Sequence, residues 1–443
     1  MKSRIFSIIL AMVVLIGVLA GCGGRAGDNT DKSADTSSGG DKKEKVEIKY
    51  WAHQNEGWNK SHKELAEKFM KVNPDITVLT EFFPYDDFES KIQTSLMSKT
   101  GGADIYELWG GWGVDFSPTG ALAKVPDKFV EEFKKDYFAP TLGSFEHDGA
   151  YYGVPLEFNI EVGGLLVNKK LFDEKGLSYP KTWDEMLKIA DQTSVKDGAV
   201  MVMRGFDFVT YDNVTYTWLS MLMSKGASYF NEDGTFNFTS PEAVDAMTQL
   251  VSYVVDKGYT NLDALTGGGG GEGHYFLYED QAMMVARGPW VISEGIEMYG
   301  LQQGVDFDYI AMPWYGDKIA FPAETGWGLV VAESSQNKDA AWKFIEFVME
   351  PENLVPHLQM CGMLPPRQSI IDNTDYKERM PHVVPLLDIL KHGEYIGHFN
   401  TDVFKEAINN MFVELCTTNN YPTIKDGLAA LEEKLNNELI LGK

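Results

Sequence analysis

Near the start of the chain's folded part, hydrophobic residues follow first a strand period and then a helix period. Apolar side chains occupy every second position over residues 46–50, as in a half-buried strand. Over residues 65–70 they share one face of a helix, and Ser61 and Glu64 stand before them in capping-box spacing. The pattern predicts a strand followed by a helix that begins near Ser61.

The same alternation continues to about residue 108. Asn73-Pro74 ends the first predicted helix, and residues 76–79 have the composition of a strand. Asp86 is placed to cap a helix over residues 88–96, and residues 103–108 predict a third strand. A βαβαβ order is typical of a mostly parallel sheet with helices on its faces.

Two segments follow strands of this predicted sheet. Residues 53–58 read His-Gln-Asn-Glu-Gly-Trp after the first strand, and residues 109–113 read Trp-Gly-Gly-Trp-Gly after the third. Ligands of open α/β sheets bind beyond the carboxyl ends of the strands. Both segments are therefore candidate ligand-contacting loops.

Later in the chain, local signals predict helix starts and turns. Thr182 and Glu185 repeat the capping-box spacing, and Ser240-Pro241 gives a cap followed by proline at the first helical position. Residues 231–234 predict a turn between short strands. The glycine run 267–271 lacks the Gly-Lys-Ser/Thr ending of a phosphate-binding loop, so we interpret it as a mobile loop.

The chain opens with a basic head and a short apolar run. Residues 5–19 are too few to span a bilayer as a helix. They end in Leu19-Ala20-Gly21-Cys22, which resembles the lipobox of bacterial lipoproteins, where a lipid is joined to the cysteine. The resemblance implies a signal peptide at residues 1–21, a lipid anchor at Cys22 and a location at the extracytoplasmic face of the bacterial cell membrane. An ordinary signal peptide with an incidental cysteine is the alternative.

Residues 22–45 contain no aromatic or large aliphatic side chain. Such a segment buries too little apolar surface to offset the entropy lost on ordering. We interpret it as a flexible tether between the anchor and a body of residues 46–443. That body is long enough for two domains.

Charge and composition narrow the classes of partner. The net charge of −26 argues against nucleic acid and anionic lipid as partners. The eight histidines show no metal-ligand grouping, no G-x-S-x-G motif occurs, and we expect neither a metal nor a cofactor. Cys361 and Cys416 could pair or remain free thiols, and the sequence leaves both open.

An ordered series of motifs resembles one family over nearly the whole body. The series resembles the extracellular solute-binding proteins of carbohydrate ABC importers (family 1), the group that includes maltose-binding protein. It is carried by Lys91, Thr100 to Ile105, Gly153-Val154-Pro155, Gly164 to Lys169, Pro180 to Glu185, Gln281 to Met284, Gly288-Pro289-Trp290, Ala340 to Ile345 and Leu364 to Arg367.

Membership implies an α/β fold of the type II periplasmic-binding-protein class, with two lobes, a hinge and a ligand cleft between the lobes. Transferred to this chain, the crossings fall near residues 157–161, 310–313 and 350–355. Lobe 1 would then consist of residues 46–156 plus 314–352. Lobe 2 would consist of residues 157–313 plus 353–443. The resemblance also implies a monomer that is not an enzyme and that delivers its ligand to ABC permease subunits.

Sugar sites combine aromatic platforms with hydrogen-bonding side chains, and this chain has ten tryptophans. Trp290 stands where the relatives place an aromatic platform. Trp109 and Trp112 lie in a glycine-flanked loop, and Trp327 begins a strand near the lobe junction. The remaining aromatic candidates, Tyr216 and Trp218, fall where relatives carry further aromatics, whereas Trp183 and Trp342 lie beside apolar helix partners and are assigned to the core.

Polar candidates follow from the same resemblance. Asn55, Glu56 and Glu161 align with sugar-contacting positions, although the first loop of maltose-binding protein has an aspartate and a lysine where this chain has Asn55 and Glu56. The resemblance therefore implies the general mode of sugar binding but not which sugar is bound. The weaker candidates are Glu157, Arg204, Arg287, Arg367, His398 and Asn400. Each arginine has the alternative of a structural ion pair.

The resemblance favours a carbohydrate ligand, in particular an oligosaccharide. The alternatives are a cationic or phosphorylated solute in the same fold, such as a polyamine or a glycerophosphodiester, or a surface glycoside hydrolase with two cleft carboxylates. A ligand sensor that signals to a membrane kinase would use the same binding chemistry.

Overall fold

The computed structural model describes residues 45–98, 101–267 and 272–440. The predicted signal peptide (1–21), the lipid-anchor residue Cys22 and the tether as far as residue 44 lie outside the described residues. So does most of the glycine run that we interpreted as a mobile loop.

The strands of the described residues are mostly short. They are β1 Val46–His53, β2 Ile76–Phe83, β3 Ile105–Trp109, β4 Glu146–His147, β5 Ala150–Tyr151, β6 Val154–Pro155, β7 Gly164–Val167, β8 Val195–Asp197, β9 Val200–Met203, β10 Met284–Ala286, β11 Asp308–Ala311, β12 Phe321–Ala323, β13 Trp327–Val331 and β14 Gly393–Tyr395.

Two larger sheets organise these strands. The first has the order β2-β1-β3-β13-β6, with β1 parallel to β2 and β3 and with β13 antiparallel to both of its neighbours. The second has the order β10-β7-β11 and is antiparallel throughout. Strands β12 and β14 pair in parallel, and β4–β5 and β8–β9 form small hairpins. The predicted βαβαβ start is confirmed, and a returning antiparallel strand follows it in the first sheet.

The helices surround both sheets. They are α1 Glu56–Val72, α2 Tyr85–Ser98, α3 Gly110–Phe116, α4 Asp127–Asp136, α5 Ala139–Leu142, α6 Lys169–Lys175, α7 Trp183–Thr193, α8 Asn213–Ser224, α9 Pro241–Val255, α10 Asp263–Thr266, α11 Gly273–Tyr278, α12 Val291–Glu297, α13 Lys338–Met349, α14 Pro351–Cys361, α15 Gln368–Ile371, α16 Thr374–Arg379, α17 Val384–Leu387, α18 Asp402–Thr417 and α19 Ile424–Leu435.

Two predicted caps are confirmed and two predicted helix starts are wrong. The Thr182 and Ser240 side chains accept hydrogen bonds from backbone N–H groups at the start of α7 and α9. Helix α1, however, begins at Glu56, because Asn55 is its N-cap and accepts from the N–H of Gly57 at 3.2 Å. Ser61 instead lies inside the helix, hydrogen bonded to His357 at 2.8 Å. Helix α2 begins at Tyr85, before the predicted cap Asp86.

The predicted turn at residues 231–234 is also present. The N–H of Asn231 donates to the carbonyl of Thr235, and Phe230 and Phe236 form an isolated antiparallel bridge. The flanking strands are therefore reduced to a single bridging pair.

Each of the two larger sheets lies within one of the two lobes whose bounds we transferred. The strands of the first sheet lie within residues 46–156 and 314–352, and those of the second lie within 157–313. Helix α14 crosses the last transferred bound, at residue 352, and packs on α1, where the indole N–H of Trp58 donates to the carbonyl of Cys361 at 3.1 Å. We therefore propose that the third crossing falls after α14, while the other bounds remain proposals.

The core contains the residues that we assigned to it. Trp183 and Trp342 are both buried. Cys361 and Cys416 are free thiols rather than a disulfide. Within the described ranges, no helix combines the length and the apolar character needed to cross a membrane.

Candidate ligand-binding site

The loop after β1 links two distant parts of the chain through one side chain. Asn55 caps α1 with its side-chain oxygen, and its amide nitrogen donates to Glu294 of α12 at 3.0 Å. Glu294 also contacts His274 of α11, with 3.0 Å between Oε2 and Nε2. The carboxyl end of the first sheet is thereby joined to the helices beside the second sheet.

Aromatic rings collect at this end of the first sheet. Trp327 begins β13 directly opposite Trp109 of β3. Its indole stacks on the ring of His53, with centroids 4.9 Å apart. The rings of Trp58 and Trp112 meet it edge-on at 5.7 and 5.6 Å. We call these four residues, His53, Trp58, Trp112 and Trp327, the tryptophan cluster.

The tryptophan cluster retains hydrogen-bonding capacity. The indole N–H of Trp112 and the Nδ1 of His53 are buried, and neither has a hydrogen-bond partner among the described residues. Tyr85 packs against Trp112 at 5.0 Å. The three indoles of the cluster are buried. Aromatic rings beside an unused N–H and an unused ring nitrogen are suited to a ligand that combines apolar C–H surfaces with polar groups.

A second group forms around Glu161, just before β7. The indole N–H of Trp290 donates to its Oε1 at 3.0 Å, and Arg287 lies 3.7 Å from its Oε2. The guanidinium of Arg287 also lies over the Trp290 ring, 4.7 Å from the centroid, and pairs with Asp212 and Glu272. Arg287 therefore contacts both the Trp290 ring and the surrounding carboxylates of Glu161, Asp212 and Glu272.

The Asn159 amide connects this group to a third carboxyl group. Its nitrogen donates to Glu161 and to Glu324, which follows β12. Glu324 also accepts from the hydroxyl of Tyr216 and from the amide of Asn400, the latter at 3.1 Å. Glu324 is buried, and its hydrogen-bond donors among the described residues are neutral groups.

Burial shifts the proton affinity of two of these carboxyl groups. Desolvation raises the pKa of Glu157 to about 8, although its carboxylate accepts a hydrogen bond from the N–H of Trp327 at 3.0 Å. Desolvation also raises the pKa of Glu161, against the opposing effect of Arg287. At neutral pH, Glu157 is therefore mainly protonated and able to donate a hydrogen bond.

A lysine lies against the other edge of the site. Lys405 of α18 places its Nζ 2.7 Å from Asp212 and 4.0 Å from the centroid of the Trp109 ring. Burial raises the pKa of Asp212, but Lys405 and Arg287 outweigh it, so the net shift is downward. The site thus contains several carboxylates and two buried cations.

The match of the sequence to one family model shows which family the chain belongs to. The model of the bacterial extracellular solute-binding protein family matches residues 54–354. The chain belongs to this family.

Individual relatives and solved structures agree with this family assignment. The solute-binding protein is 24% identical over 430 residues to the arabinooligosaccharide-binding protein of Bacillus subtilis (strain 168), and the match covers 93% of this chain and 90% of that protein. Among solved structures, maltose-bound MalE3 of T. maritima superposes with a TM-score of 0.73 at 20% identity, covering 89% of this chain and all of that one. UgpB of Mycobacterium tuberculosis in complex with glycerophosphocholine has a TM-score of 0.71 at 19% identity, with 89% and 98% covered. The expected two-lobe type II fold is confirmed.

The solute-binding protein brings most of the predicted site residues into one connected region. Hydrogen bonds, ion pairs or ring contacts link them to one another or to shared partners. The residues brought together are Asn55, Trp109, Trp112, Glu157, Glu161, Tyr216, Arg287, Trp290, Trp327 and Asn400.

Two of the predicted residues lie outside this connected set of contacts among the described residues, and Glu56 stays a prediction for the ligand site. Trp218 is buried on α8, where its indole N–H donates to the carbonyl of Ala243 and its ring packs on Phe238, so we remove it from the proposed site. Glu56 is exposed in the first turn of α1, where a carboxylate is favourable to the helix N-terminus.

Two of the three weaker arginine candidates, Arg204 and Arg367, have structural contacts instead. Arg204 lies 3.3 Å from Asp207 and over the Phe276 ring. Arg367 donates to the carbonyl of Met349 at 2.6 Å. The ring of the other weak candidate, His398, lies 5.4 Å from that of Tyr395.

Several site residues were missed from the sequence. His53 and Trp58 belong to the segment 53–58 that the strand pattern indicated, although His53 ends β1 and Trp58 lies in α1. Their position was therefore predictable from the sequence, but their role was not. Asn159, Glu324 and Lys405 had no local signal, because each is defined by partners far away in the chain.

Proposed function

We propose that this protein is a lipid-anchored extracytoplasmic receptor that binds a carbohydrate between its lobes and delivers it to an ABC importer. The observation that carries the proposal is the tryptophan cluster beside the hydrogen-bonding carboxyl groups of Glu157, Glu161 and Glu324. Sugars pair with both kinds of surface. The arabinooligosaccharide-binding relative and the maltose-bound neighbour support this ligand class.

The number of aromatic rings supports an oligosaccharide rather than a monosaccharide. The tryptophan cluster and Trp290 supply platforms at the carboxyl end of the first sheet and beside the second sheet. A ligand with several sugar rings can occupy more than one platform. Anchoring through Cys22 rests on the lipobox resemblance.

A cationic solute is the second candidate. Carboxylates outnumber cations around Glu161, and carboxylates with aromatic rings are the groups that recognise ammonium ligands. The structural neighbour UgpB, in complex with glycerophosphocholine, which carries a quaternary ammonium group, supports this ligand class. A catalytic role is not part of the proposal, because the relatives are solute-binding proteins.

The test is a thermal-shift and calorimetric screen of the purified protein against mono- and oligosaccharides, with polyamines and glycerophosphodiesters as comparison ligands. A ligand at 100 times its dissociation constant should stabilise the protein by about 2.7 kcal/mol. We expect one oligosaccharide series to bind with a dissociation constant on the order of micromolar, about −8 kcal/mol. Binding of polyamines or phosphodiesters alone would refute the carbohydrate assignment.

Trp290 provides the corresponding test of the site. Trp290→Ala should weaken sugar binding by about 1–3 kcal/mol, because it removes the platform and the donor to Glu161. Trp290→Phe keeps a ring without the N–H, so the difference between the two variants separates stacking from hydrogen bonding. Circular dichroism and urea unfolding provide the folding controls, and unchanged affinity in folded Trp290→Ala would exclude Trp290 from the site.

A further inference from the structure

One buried ammonium group already occupies the kind of site that a cationic ligand would need. The side chain of Lys405 is 3% exposed, and its Nζ lies 2.7 Å from Asp212 and 3.8 Å from Asp402. The Lys405 side chain belongs to α18, whereas Asp212 directly precedes α8. Two carboxylates from different segments therefore converge on one charge.

Two aromatic rings complete the enclosure. The Nζ of Lys405 lies 4.0 Å from the centroid of the Trp109 ring and 5.1 Å from that of Tyr211. The Tyr211 hydroxyl donates to Asp402 at 3.0 Å and so orients that carboxylate. Aromatic faces combined with carboxylates form the usual recognition site for an ammonium ligand. We call Trp109, Tyr211, Asp212 and Asp402 the ammonium cage.

Electrostatics keep this lysine charged in spite of its burial. Desolvation lowers its pKa, but Asp212, Glu324 and Asp402 together raise it above the ordinary value. The positive charge in turn stabilises the ionised form of Asp212. Lys405 thus balances one of the two carboxylate charges of the ammonium cage from within the chain.

We propose that Lys405 is a tethered occupant of the ammonium cage and is the residue that directs the cleft to neutral rather than cationic solutes. A free ammonium group would have to displace Lys405 or share two carboxylates that are already paired. Trp109 would remain available to the ligand only at the parts of its ring that the ammonium leaves uncovered. The inference rests on the proposed function, because it names the ligand class of the same site.

Chemical rescue tests the inference directly. Lys405→Ala removes three carbons and the ammonium, which together correspond to propylammonium. We expect propylammonium chloride to raise the melting temperature of Lys405→Ala in a saturable manner. Propanol and sodium chloride at matched concentration should have no such effect, and the wild type should not respond because its cage is filled.

Two further variants serve as controls. Lys225 also pairs with an aspartate, Asp245 at 2.8 Å, and lies 5.2 Å from the Tyr315 ring centroid, but its side chain is 38% exposed. Lys225→Ala should therefore show no response to propylammonium. Lys405→Met keeps the volume without the charge, so it should not respond either. An absent response in folded Lys405→Ala, or an equal response in either control, would overturn the proposal.

Folding and carbohydrate binding are tested separately. If Lys405→Ala does not fold in buffer, refolding with propylammonium should recover the native circular dichroism spectrum, and failure to do so while Lys405→Met folds would contradict the proposal. If the wild type binds a sugar, propylammonium should restore the affinity lost in Lys405→Ala. If the wild type binds no sugar, the proposed function fails, yet the propylammonium titration still decides the role of Lys405.

Discussion

At the scale of single residues, the site depends on carboxyl groups whose protonation is changed by burial. Glu157 is held among Trp327, Asn159 and Gly326, and a Cβ on Gly326 would lie 2.9 Å from the Cγ of Glu157. Gly326 also has a φ of +71°, a region that other residues rarely adopt. Gly326 therefore lets the backbone pass close to the buried carboxyl group of Glu157.

The raised pKa of Glu157 predicts a specific pH dependence of stability. Because its pKa is about 8 in the folded protein and about 4.3 in the unfolded chain, the folded state binds more protons between these values. Its contribution to stability is complete below pH about 4 and is lost as the pH rises through about 8. The loss has a slope of at most about 1.4 kcal/mol per pH unit.

Glu157→Gln should remove this part of the pH dependence. The amide oxygen can still accept from the N–H of Trp327, so the local hydrogen bond is retained. The free energy of unfolding in urea, measured at pH 5, 6.5 and 8, should fall less steeply for Glu157→Gln than for the wild type. Parallel profiles for the two proteins would show that Glu157 titrates normally.

The sequence predicted individual site residues only where a local pattern or a family motif pointed to them. Glu161, Tyr216 and Trp290 belong to such segments and lie in one hydrogen-bonded group, and their contact with a ligand stays a prediction. Glu324 depends on donors from Asn159, Tyr216 and Asn400, which are up to 165 positions away. A hydrogen-bond network of that range leaves no periodic signal in the chain.

At the scale of secondary-structure elements, the N-terminus of α1 joins the two parts of the site. Asn55 caps the helix with its oxygen and contacts Glu294 with its nitrogen. The strand and helix periods predicted β1, α1 and β2, because periodicity is a local property. The predicted start of α1 was wrong, because Asn55 and not Ser61 caps the helix. The Ser61 hydroxyl is instead hydrogen bonded to His357, which lies 296 positions later.

Asn55→Asp separates the two roles of this side chain. Aspartate caps a helix about as well as asparagine, but it places a second carboxylate against Glu294. We expect a loss of about 1–3 kcal/mol in the free energy of unfolding at pH 7, measured in urea.

A compensating substitution is the control for this prediction. Glu294→Gln in the same chain can donate to the new carboxylate and should recover part of the lost stability. If Asn55→Asp is as stable as the wild type, the contact between Asn55 and Glu294 does not stabilise the folded protein.

At the scale of the whole molecule, polar side-chain contacts connect the two sheet regions. Asn55 with Glu294 and Trp109 with Lys405 are two of them. A ligand that touches both regions stabilises only the arrangement in which they are close, and this differential contact shifts the population. The two-lobe fold was predictable from the family motifs, whereas the exact lobe bounds depend on contacts such as α14 against α1.

Ligand binding should therefore make the protein more compact. We expect the radius of gyration from small-angle X-ray scattering to decrease on addition of the oligosaccharide found in the screen. Trp290→Ala should need a higher sugar concentration for the same decrease. An unchanged radius at saturating sugar would show that binding does not require closure.

The tryptophan cluster also has an optical consequence. The indoles of Trp58 and Trp112 lie 5.7 and 5.6 Å from that of Trp327, at interplanar angles of 84° and 88°. Indoles this close couple their electronic transitions, and the coupling is sensitive to their mutual orientation. Near-ultraviolet circular dichroism and tryptophan emission should therefore report ligand binding at the site without an added label, because the fold itself holds these indoles close together.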